Sequence, residues 1–349
     1  MHNKAFIADN SAAIIGGRNI GDAYFDARLA MNFVDLDLLS IGPIVEDISA
    51  SFNDYWHSRW ATPIEEISRA RVVKSQLKGF RQKLRDRWHR ARNTAYFNSP
   101  QQAELTQKII HRDIDFIWAR ARLFYDKPEK LCTEQTNATT HIGPQVLPYF
   151  NRASQQMLIA TPYFVPGTAG VAWFQSRHQQ GIDIHVLTNS LAATDVAVVH
   201  AGYRKYRPGL LAAGIKLAEL KPSARPFRKK HKHWIKGSSS ASLHAKYMVV
   251  DQHYVFIGSA NLDPRSEILN TEIGIMVDSR ALAAQATRLF ERTAAIENSY
   301  QLSLTANRQC RWLTRENGEA VHYRHEPQAS LLRRLFVRLV AVLPIDSLL

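Results

Sequence analysis

Residues 244–261, HAKYMVVDQHYVFIGSAN, contain a spaced set of polar residues that occurs twice in this chain. Residues 2–19, HNKAFIADNSAAIIGGRN, repeat the set at a constant offset of 242 positions. With typical composition, five such matches arise by chance on the order of 10⁻⁷ times per position, so the segments are copies of one element. The matching residues are His2, Lys4, Asp9, Gly16 and Asn19 in the first copy and His244, Lys246, Asp251, Gly258 and Asn261 in the second.

Each copy predicts a β-hairpin. Between Lys246 and Gly258, β-branched and aromatic residues stand on both sides of a polar turn at 251–253, and the first copy has the same arrangement around 9–11. A histidine and a lysine two positions apart on a strand point to the same face. Both side chains of one copy can therefore reach a single ligand.

The chain before the second copy shows the alternation of helices and short buried strands that is typical of an α/β fold. Such an alternation indicates a sheet covered on both faces. A basic loop rich in proline and serine, 221–242, then leads to His244. The predicted helices lie near 143–156, 168–180 and 194–213, and the predicted strands at 157–165, 182–189 and 215–220.

The two halves of the repeat differ in what precedes them. Residues 143–243 precede the second copy, whereas Met1 alone precedes the first. We therefore expect a pseudo-twofold pair of α/β domains whose first member lacks its N-terminal part, through a misassigned start, a fragment or a decayed relic. The expected division is 1–140 for the first domain with a basic helical insert at about 69–92, 141–300 for the second domain, and 301–349 for a hairpin and an apolar, basic tail.

Further elements are predicted inside these domains. The first half continues with a strand at 33–42 and a helix from Pro43 to about Arg59. After the second copy, the pattern predicts a strand at 272–277, a helix near 280–297 and a hairpin around 316–318.

The composition limits the kinds of partner. A formal charge of +14 and a pI near 9.8 favour anionic partners, which include nucleic acid, anionic lipid headgroups and phosphate-bearing substrates. Cys132 and Cys310 stand in no CxxC or Cys/His cluster, so the sequence predicts neither a disulfide framework nor a zinc site. No apolar stretch reaches the roughly 20 residues that span a bilayer, so any membrane contact is expected to be peripheral.

The duplicated residues suit a phosphodiester. One neutral imidazole can attack phosphorus while the other, protonated, supplies a proton to the departing alkoxide, because the pKa of histidine lies near neutrality. Lys4 and Lys246 would neutralise the non-bridging oxygens, and Asn19 and Asn261 would add hydrogen bonds. These donors can replace a metal, so we predict neither a metal nor a cofactor.

An imidazole used in this way needs a carboxylate on its other nitrogen to fix the tautomer. Glu272, which opens the strand after the second hairpin, is the expected partner of His244, and Asp35 is the expected partner of His2 in the comparable strand of the first half. Asp9 and Asp251, at the hairpin turns, are interpreted as structural members of the motif.

The motif HxKx₄D followed by GG or GS and an Asn resembles the signature of the phospholipase D superfamily. The wider text, including ATPYFVP (160–166), LTNSLAATDVAVVHAGY (187–203) and GSANLDPRSEILNTEIG (258–274), resembles bacterial cardiolipin synthases, most closely the C-type. The resemblance implies a phosphatidyl-histidine intermediate and transfer to phosphatidylglycerol, with phosphatidylethanolamine as a possible donor. It implies phospholipid partners that include cardiolipin, and a peripheral place on the cytoplasmic side of the bacterial inner membrane.

The resemblance also implies roles for single residues. His2 would be the nucleophile and His244 the acid, an order that the residues themselves do not determine. Ser259 joins Asn19 and Asn261 as a predicted phosphate ligand, and His200 is either a substrate contact or a helix-packing residue.

Two other functions remain open. One is a nuclease of the same superfamily, which the charge favours but which the sparse interleaving of aromatic and basic residues disfavours, so nucleic acid is not the expected partner. The other is an inactive remnant that only binds membranes. The basic stretch 69–92 is either a solvated helix face or a contact for anionic lipid, and the C-terminal helix either packs on the domain or inserts shallowly into a membrane. The oligomeric state is left open.

Overall fold

The computed structural model describes residues 1–25, 27, 31–67, 74–92, 107–134, 137–225 and 240–343. It divides into two compact units, one made of 1–56 with 119–349 and the other of 57–118. The predicted division at 140 and 300 concerns repeat boundaries and stays a prediction; the larger unit contains segments from all three of those parts.

A ten-stranded mixed sheet dominates the described part of the larger unit. The strands are β5 (Arg120–Tyr125), β6 (Gln156–Ala160), β7 (Asp183–Asn189), β8 (Lys216–Leu220), β10 (Tyr247–Val250), β11 (Tyr254–Gly258), β12 (Ile273–Asp278), β13 (Ser299–Leu304), β14 (Cys310–Glu316) and β15 (Glu319–Tyr323). Their order in the sheet is β15-β14-β13-β8-β7-β6-β10-β11-β12-β5, with β6, β7 and β8 parallel and the other pairs antiparallel.

The first copy of the repeat forms a smaller sheet. Strands β1 (Ala5–Ala8), β2 (Ala12–Gly16) and β4 (Asp37–Ile41) pair in the order β1-β2-β4. A separate pair joins the halves, because β3 (Met31–Val34) runs parallel to β9 (Ser240–Leu243). The predicted strand 33–42 is thus wrong as one element: it is divided between β3 and β4. The interruption gives its two parts different partners and leaves Asp35 between them.

The two hairpins of the repeat have the same register. Ala5 pairs with Ile15 in the first hairpin, and Tyr247 pairs with Ile257 at the equivalent positions of the second. Both turns place two consecutive non-glycine residues at positive φ, which is the backbone of the tight turn that matches strand twist. The predicted pair of hairpins is therefore confirmed.

Helices cover the sheet where the sequence predicts them. They are α1 (Ile44–Trp56), α4 (Ile142–Asn151), α5 (Gly167–Gln179), α6 (Ala197–Ala212), α7 (Arg280–Ala294) and α8 (Leu331–Val340). One core packs side chains such as Phe150, Phe174 and Leu210 on one side of the sheet, and another packs Phe290 of α7 against Val249. This arrangement confirms the predicted α/β class.

A third core joins the two halves. Ala13 and Ile15 of β2 pack with Ile48 of α1 against Ile273 and Ile275 of β12. Ala13 and Ile15 are two positions apart on β2, as are Ile273 and Ile275 on β12, so in each strand the two side chains point to the same face and are buried together. The interface places the start of each hairpin beside the other half.

The smaller unit contains α2 (Ile64–Ile67) and α3 (Lys74–Arg92). The helix predicted for the basic stretch 69–92 is confirmed over 74–92, and residues 68–73 lie outside the described residues. Most of the predicted basic loop, 226–239, and the end of the tail, 344–349, also lie outside them. Within the described ranges, each helix is too short or too polar to cross a bilayer.

Candidate active site at the junction of the two halves

The two histidines lie just before the first strand of their hairpins, and the opposite half holds each backbone. His2 N–H donates to Thr271 O at 3.0 Å, and His244 N–H donates to Val34 O at 2.8 Å. Thr271 and Val34 each directly precede a predicted carboxylate, so the two contacts are equivalent under the repeat. Each motif is thus positioned by the segment that carries the carboxylate of the other half.

The histidine–carboxylate pairs cross between the halves. His2 Nδ1 lies 2.9 and 2.8 Å from Glu272 Oε1 and Oε2, and His244 Nδ1 lies 2.8 Å from Asp35 Oδ2. The predicted pairing within each half is therefore wrong, although both carboxylates are the predicted ones. The reason is the interface core, which brings the β12 side of one half against the hairpin of the other.

The two lysines have equivalent places in the site. Lys4 Nζ donates to His2 O at 2.8 Å, and Lys246 Nζ donates to His244 O at 2.7 Å. Burial lowers the pKa of both ammonium groups to about 8, with Glu272 and Asp35 opposing the change. The charge of Lys4 also contributes to the lowered pKa of Lys246, so the two motifs meet in one electrostatic site.

His244 is the more enclosed of the two histidines. Its ring lies 5.0 Å from the rings of Tyr24 and Phe33, and its side chain is 7% exposed, against 29% for His2. Burial and the charge of Lys246 lower the pKa of His244, and the hydrogen bond to Asp35 opposes this. The lowered pKa favours the neutral form of the His244 imidazole.

Ser259, a predicted phosphate ligand, instead forms its hydrogen bond with Glu272. Its side chain is fully buried and donates to Glu272 Oε2 at 2.5 Å, while Ile273 N–H donates to Ser259 Oγ at 3.0 Å. The hydroxyl therefore holds the carboxylate that holds His2. Gly17 occupies the equivalent position in the first half, where a Cβ would lie 2.2 Å from Asp35 Oδ1.

The two asparagines are not equivalent in their contacts. Asn19 Nδ2 donates to the Tyr24 hydroxyl at 2.7 Å on the exposed side of the site. Asn261 is buried, its backbone N–H donates to Ser266 Oγ at 3.2 Å, and its Oδ1 has no hydrogen-bond partner among the described residues. Tyr24, which the sequence analysis did not single out, thus lies between Asn19 and His244.

Asp251 and Asp9 lie at the hairpin turns, as predicted. The Asp251 carboxylate accepts from the N–H groups of Ser154, Gln155 and Gln156 at 2.8–2.9 Å and so holds the start of β6. These bonds lower the pKa of Asp251, although desolvation opposes them. Asp9 is exposed at its turn with a φ of 49°.

His200 lies on α6, buried among charged groups other than the motif residues. Burial and the charge of Arg207 together lower its pKa to about 3, and Glu326 opposes the change. Its ring contacts Tyr203 at a centroid distance of 5.5 Å, and its Nε2 is buried without a hydrogen-bond partner among the described residues. These contacts correspond to helix packing, the second of the two predicted roles.

A buried ion pair that the sequence analysis missed supports Glu272. Lys130 Nζ lies 2.9 Å from Asp126 Oδ2, and the two side chains are 1% and 0% exposed. Asp126 Oδ2 also accepts from Glu272 N–H at 2.7 Å, and Lys130 donates to the carbonyls of Ser266 and Asn270. Nothing in the local pattern of DKPEK marks this pair, because its partners lie about 140 positions away.

Two further polar contacts shape the site from β7 and the loop after it. Asn189 forms two hydrogen bonds with Leu243, through Nδ2 to O at 2.9 Å and through Oδ1 from N–H at 2.7 Å, and so fixes the residue before His244. The Tyr163 hydroxyl donates to Asp195 at 2.9 Å, and the negative charge of Asp195 opposes the lowering of the Lys246 pKa.

Known proteins similar to this chain identify its family. Residues 146–294 match the family described as cardiolipin synthase, PLD-like domain. The chain is 37% identical over 352 residues to cardiolipin synthase C of Escherichia coli (strain K12), and the match covers 100% of this chain and 73% of that protein. The chain belongs to the cardiolipin synthase family.

Other relatives and one solved structure extend the comparison. An uncharacterized protein of Helicobacter pylori (strain J99) is 32% identical over 99% of this chain and 66% of its own length. Cardiolipin synthase A of Pseudomonas entomophila is 24% identical over 83% of this chain and 46% of its own length. The crystal structure of phosphatidylserine synthase from Haemophilus influenzae matches with a TM-score of 0.59 at 13% identity, covering 100% of this chain and 70% of that one, and has the same fold.

Proposed function

We propose that this chain is a phosphatidyltransferase of the cardiolipin synthase type, which transfers a phosphatidyl group through a histidine. The observation that carries the proposal is the crossed pair of histidine–carboxylate hydrogen bonds. A carboxylate on Nδ1 holds each ring in the tautomer with its proton on Nδ1, so that the Nε2 lone pair is available for chemistry.

In the first step, Nε2 of His2 attacks the phosphorus of the donor lipid. The bond from phosphorus to the headgroup oxygen breaks, and protonated Nε2 of His244 gives its proton to the departing alkoxide. The products are a phosphatidyl group on His2 and a free headgroup alcohol, which is glycerol from phosphatidylglycerol or ethanolamine from phosphatidylethanolamine.

In the second step, the roles of His244 reverse. Its neutral Nε2 removes the proton from a glycerol hydroxyl of phosphatidylglycerol, and that oxygen attacks the phosphorus on His2. The bond between phosphorus and nitrogen breaks, which releases cardiolipin and returns a proton to His244. One imidazole thus serves as acid and then as base, for which a pKa near the working pH is suited.

The difference in exposure supports His2 as the nucleophile. At 29% exposure, its ring is more open to an incoming lipid headgroup than that of His244 at 7%. The lowered pKa of His244 makes its protonated form a stronger acid toward the alkoxide, and an anionic phosphodiester bound beside it would favour that protonated form.

The lysines supply the charge for both steps. With a pKa of about 8, Lys4 and Lys246 are largely protonated at neutral pH and can neutralise the non-bridging oxygens. Because the site has little exposure, these charges are weakly screened by water. Asn19 and Asn261 are the further proposed donors to phosphate, and the Ser259 hydroxyl acts through Glu272 instead.

The proposed lipid substrates indicate where in the cell the chain acts. Phosphatidylglycerol, phosphatidylethanolamine and cardiolipin are bilayer lipids, and the formal charge of +14 favours attachment to an anionic surface. We place the chain at the cytoplasmic face of the bacterial inner membrane as a peripheral protein.

The test is an assay of the purified chain on vesicles of phosphatidylglycerol, with and without phosphatidylethanolamine that carries different acyl chains. Mass spectrometry of the cardiolipin then identifies the donor, since a product with both acyl sets requires phosphatidylethanolamine. His244→Ala should abolish product, and His322→Ala, at an exposed position of β15, should leave it unchanged. Equal cardiolipin from the His244→Ala variant would refute the proposal, and DNA cleavage faster than lipid transfer would favour the nuclease instead.

A further inference from the structure

The helix α8 turns its apolar face away from the protein. Val337 is its one fully buried residue, and it packs with Ala329 against Leu191 and Ala201. The apolar face of α8 consists of side chains that are 46–80% exposed: Leu331, Leu332, Leu335, Phe336 and Leu339. At 100° per residue, these five positions lie within an arc of about 140°, so they form one continuous surface.

This arrangement is the reverse of an ordinary surface helix. Helix α7 buries Ala283, Ala286 and Phe290 and exposes Gln285 and Arg288, as the hydrophobic effect requires in water. A contiguous exposed apolar surface of this kind marks an interaction site.

The helix is firmly attached to the rest of the larger unit. Glu326, just before it, accepts from Arg207 Nη2 at 2.9 Å, and Arg207 also donates to the buried Glu219. Arg333 Nη2 donates to Thr194 O at 2.6 Å, and Ser330 Oγ accepts from Arg333 N–H at the start of the helix. The apolar face is therefore exposed while the helix is packed on the protein, and its exposure does not require the helix to detach.

The charges beside the apolar face indicate its occupant. Helix α8 contains three arginines and no acidic residue, with Arg334 and Arg338 on one side of the apolar face and Arg333 on the other. In a twofold contact between two copies, these faces would bring arginines against arginines. An anionic bilayer would instead take the leucines among its acyl chains and place Arg334 and Arg338 at the headgroup phosphates, while Arg333 stays bonded to Thr194.

We propose that the apolar face of α8 is the surface by which this chain docks on an anionic lipid bilayer, with Arg334 and Arg338 at the headgroups. The inference rests on the proposed function, because that function requires substrates drawn from a bilayer. The helix is also placed for this role: Arg333 contacts Thr194, and the next residue, Asp195, accepts from Tyr163 and acts on Lys246. Docking through α8 would thus bring the loop beside the site to the membrane.

The test compares vesicle flotation of the full chain and of Leu332→Ser/Leu339→Ser, which changes two side chains exposed by 80% and 72%. The vesicles contain equal parts of phosphatidylglycerol and phosphatidylethanolamine, and the buffer contains 0.5 M salt to screen attachment by basic residues alone. We expect the partition coefficient of the variant to fall about tenfold. The matched control is Leu131→Ser/Leu147→Ser, at exposed positions outside α8, which should bind as the parent chain does.

Equal flotation of the α8 variant and its parent would overturn the proposal. So would a parent chain that is dimeric by light scattering and becomes monomeric in the variant, since the apolar face would then belong to a second copy. Flotation measures binding without turnover. If the α8 variant loses binding while the parent chain is inactive on every lipid, the docking proposal stands and the proposed function is refuted. If the parent chain is active, the α8 variant should turn over a monomeric short-chain phosphatidylglycerol at the parent's rate and should turn over vesicle lipid more slowly than the parent.

Discussion

His2 Nδ1 lies 2.8 Å from Glu272 Oε2, although the two residues are 270 positions apart and belong to opposite halves of the repeat. The second histidine completes the exchange, because its partner Asp35 belongs to the first half. Neither half therefore contains a complete histidine–carboxylate pair. The apolar core between β2 and β12 brings the halves together, so the packing that stabilises the fold also assembles the site.

The crossed pairing predicts which histidine responds to which carboxylate. Asp35→Asn should change the Nδ1 resonance of His244 and leave that of His2 almost unchanged, and Glu272→Gln should do the reverse. Nitrogen NMR of the labelled histidines measures both. Each variant should also lose transfer activity by about 10²–10⁴-fold, because a wrongly oriented tautomer disables an imidazole base.

The opposite pattern of NMR responses would contradict the crossed arrangement and restore pairing within halves. Asp183→Asn provides a matched control, because Asp183 pairs with His185 on β7, outside the site. That variant should alter the His185 resonance and leave turnover of lipid intact.

Gly17 is predicted to leave the space in which the Asp35 carboxylate binds His244. A Cβ at this position would lie 2.2 Å from Asp35 Oδ1, so Gly17→Ala should push the carboxylate away from His244 and reduce kcat by at least tenfold. Gly143→Ala is the control, since a Cβ there meets nothing within 4 Å. Turnover by Gly17→Ala at the rate of the parent would show that Asp35 need not stay in place.

Much of this fold could be predicted from the sequence, because its signals are local. The spacing from His244 to Asn261 recurs from residue 2. Apolar residues on both sides of a polar turn predict the hairpins, and short apolar runs between helices predict the strands β6 to β8. The choice of Asp35 and Glu272 also followed from their place in the repeat. Their pairing did not, because a repeated sequence is equally consistent with contacts within a half and with contacts exchanged between halves.

Other parts of the site depend on contacts that no local pattern reveals. Ser259 follows the second motif glycine and was predicted to bind phosphate, but burial at the junction gives its hydroxyl to Glu272. Lys130 stands in a segment that reads as ordinary polar loop, yet it is buried against Asp126. In both cases the chain far away in sequence determines the role.

The lysines of the site predict how activity depends on pH. A lysine is protonated below its pKa, and burial lowers the pKa of Lys4 and Lys246 to about 8. The value of kcat/KM, which reports the free enzyme, should therefore decline as pH rises through about 8, below the ordinary range for lysine near 10.5. Rates measured from pH 6 to 10 test this, with circular dichroism to show that the chain stays folded. A profile that is flat to pH 9.5 would contradict it.

The buried pair of Lys130 and Asp126 predicts a large loss of stability when one partner is removed. Lys130→Met should lower the free energy of unfolding by about 3–5 kcal/mol, because Asp126 is left buried without its counter-ion. Burial already raises the pKa of Asp126, and loss of Lys130 raises it further. Protonated Asp126 carries no charge and is therefore less costly to bury than the carboxylate. The loss of unfolding free energy in Lys130→Met should therefore shrink as pH falls from 8 to 5.

Urea denaturation at both pH values measures this deficit. Lys216→Met removes the partner of Asp183 from a pair in which the lysine side chain is 58% exposed, and it should cost less than about 1 kcal/mol. Because Asp126 also accepts from the N–H of Glu272, Lys130→Met should reduce transfer activity as well. Equal losses of stability in the two variants would mean that Asp126 finds water or another cation when Lys130 is absent.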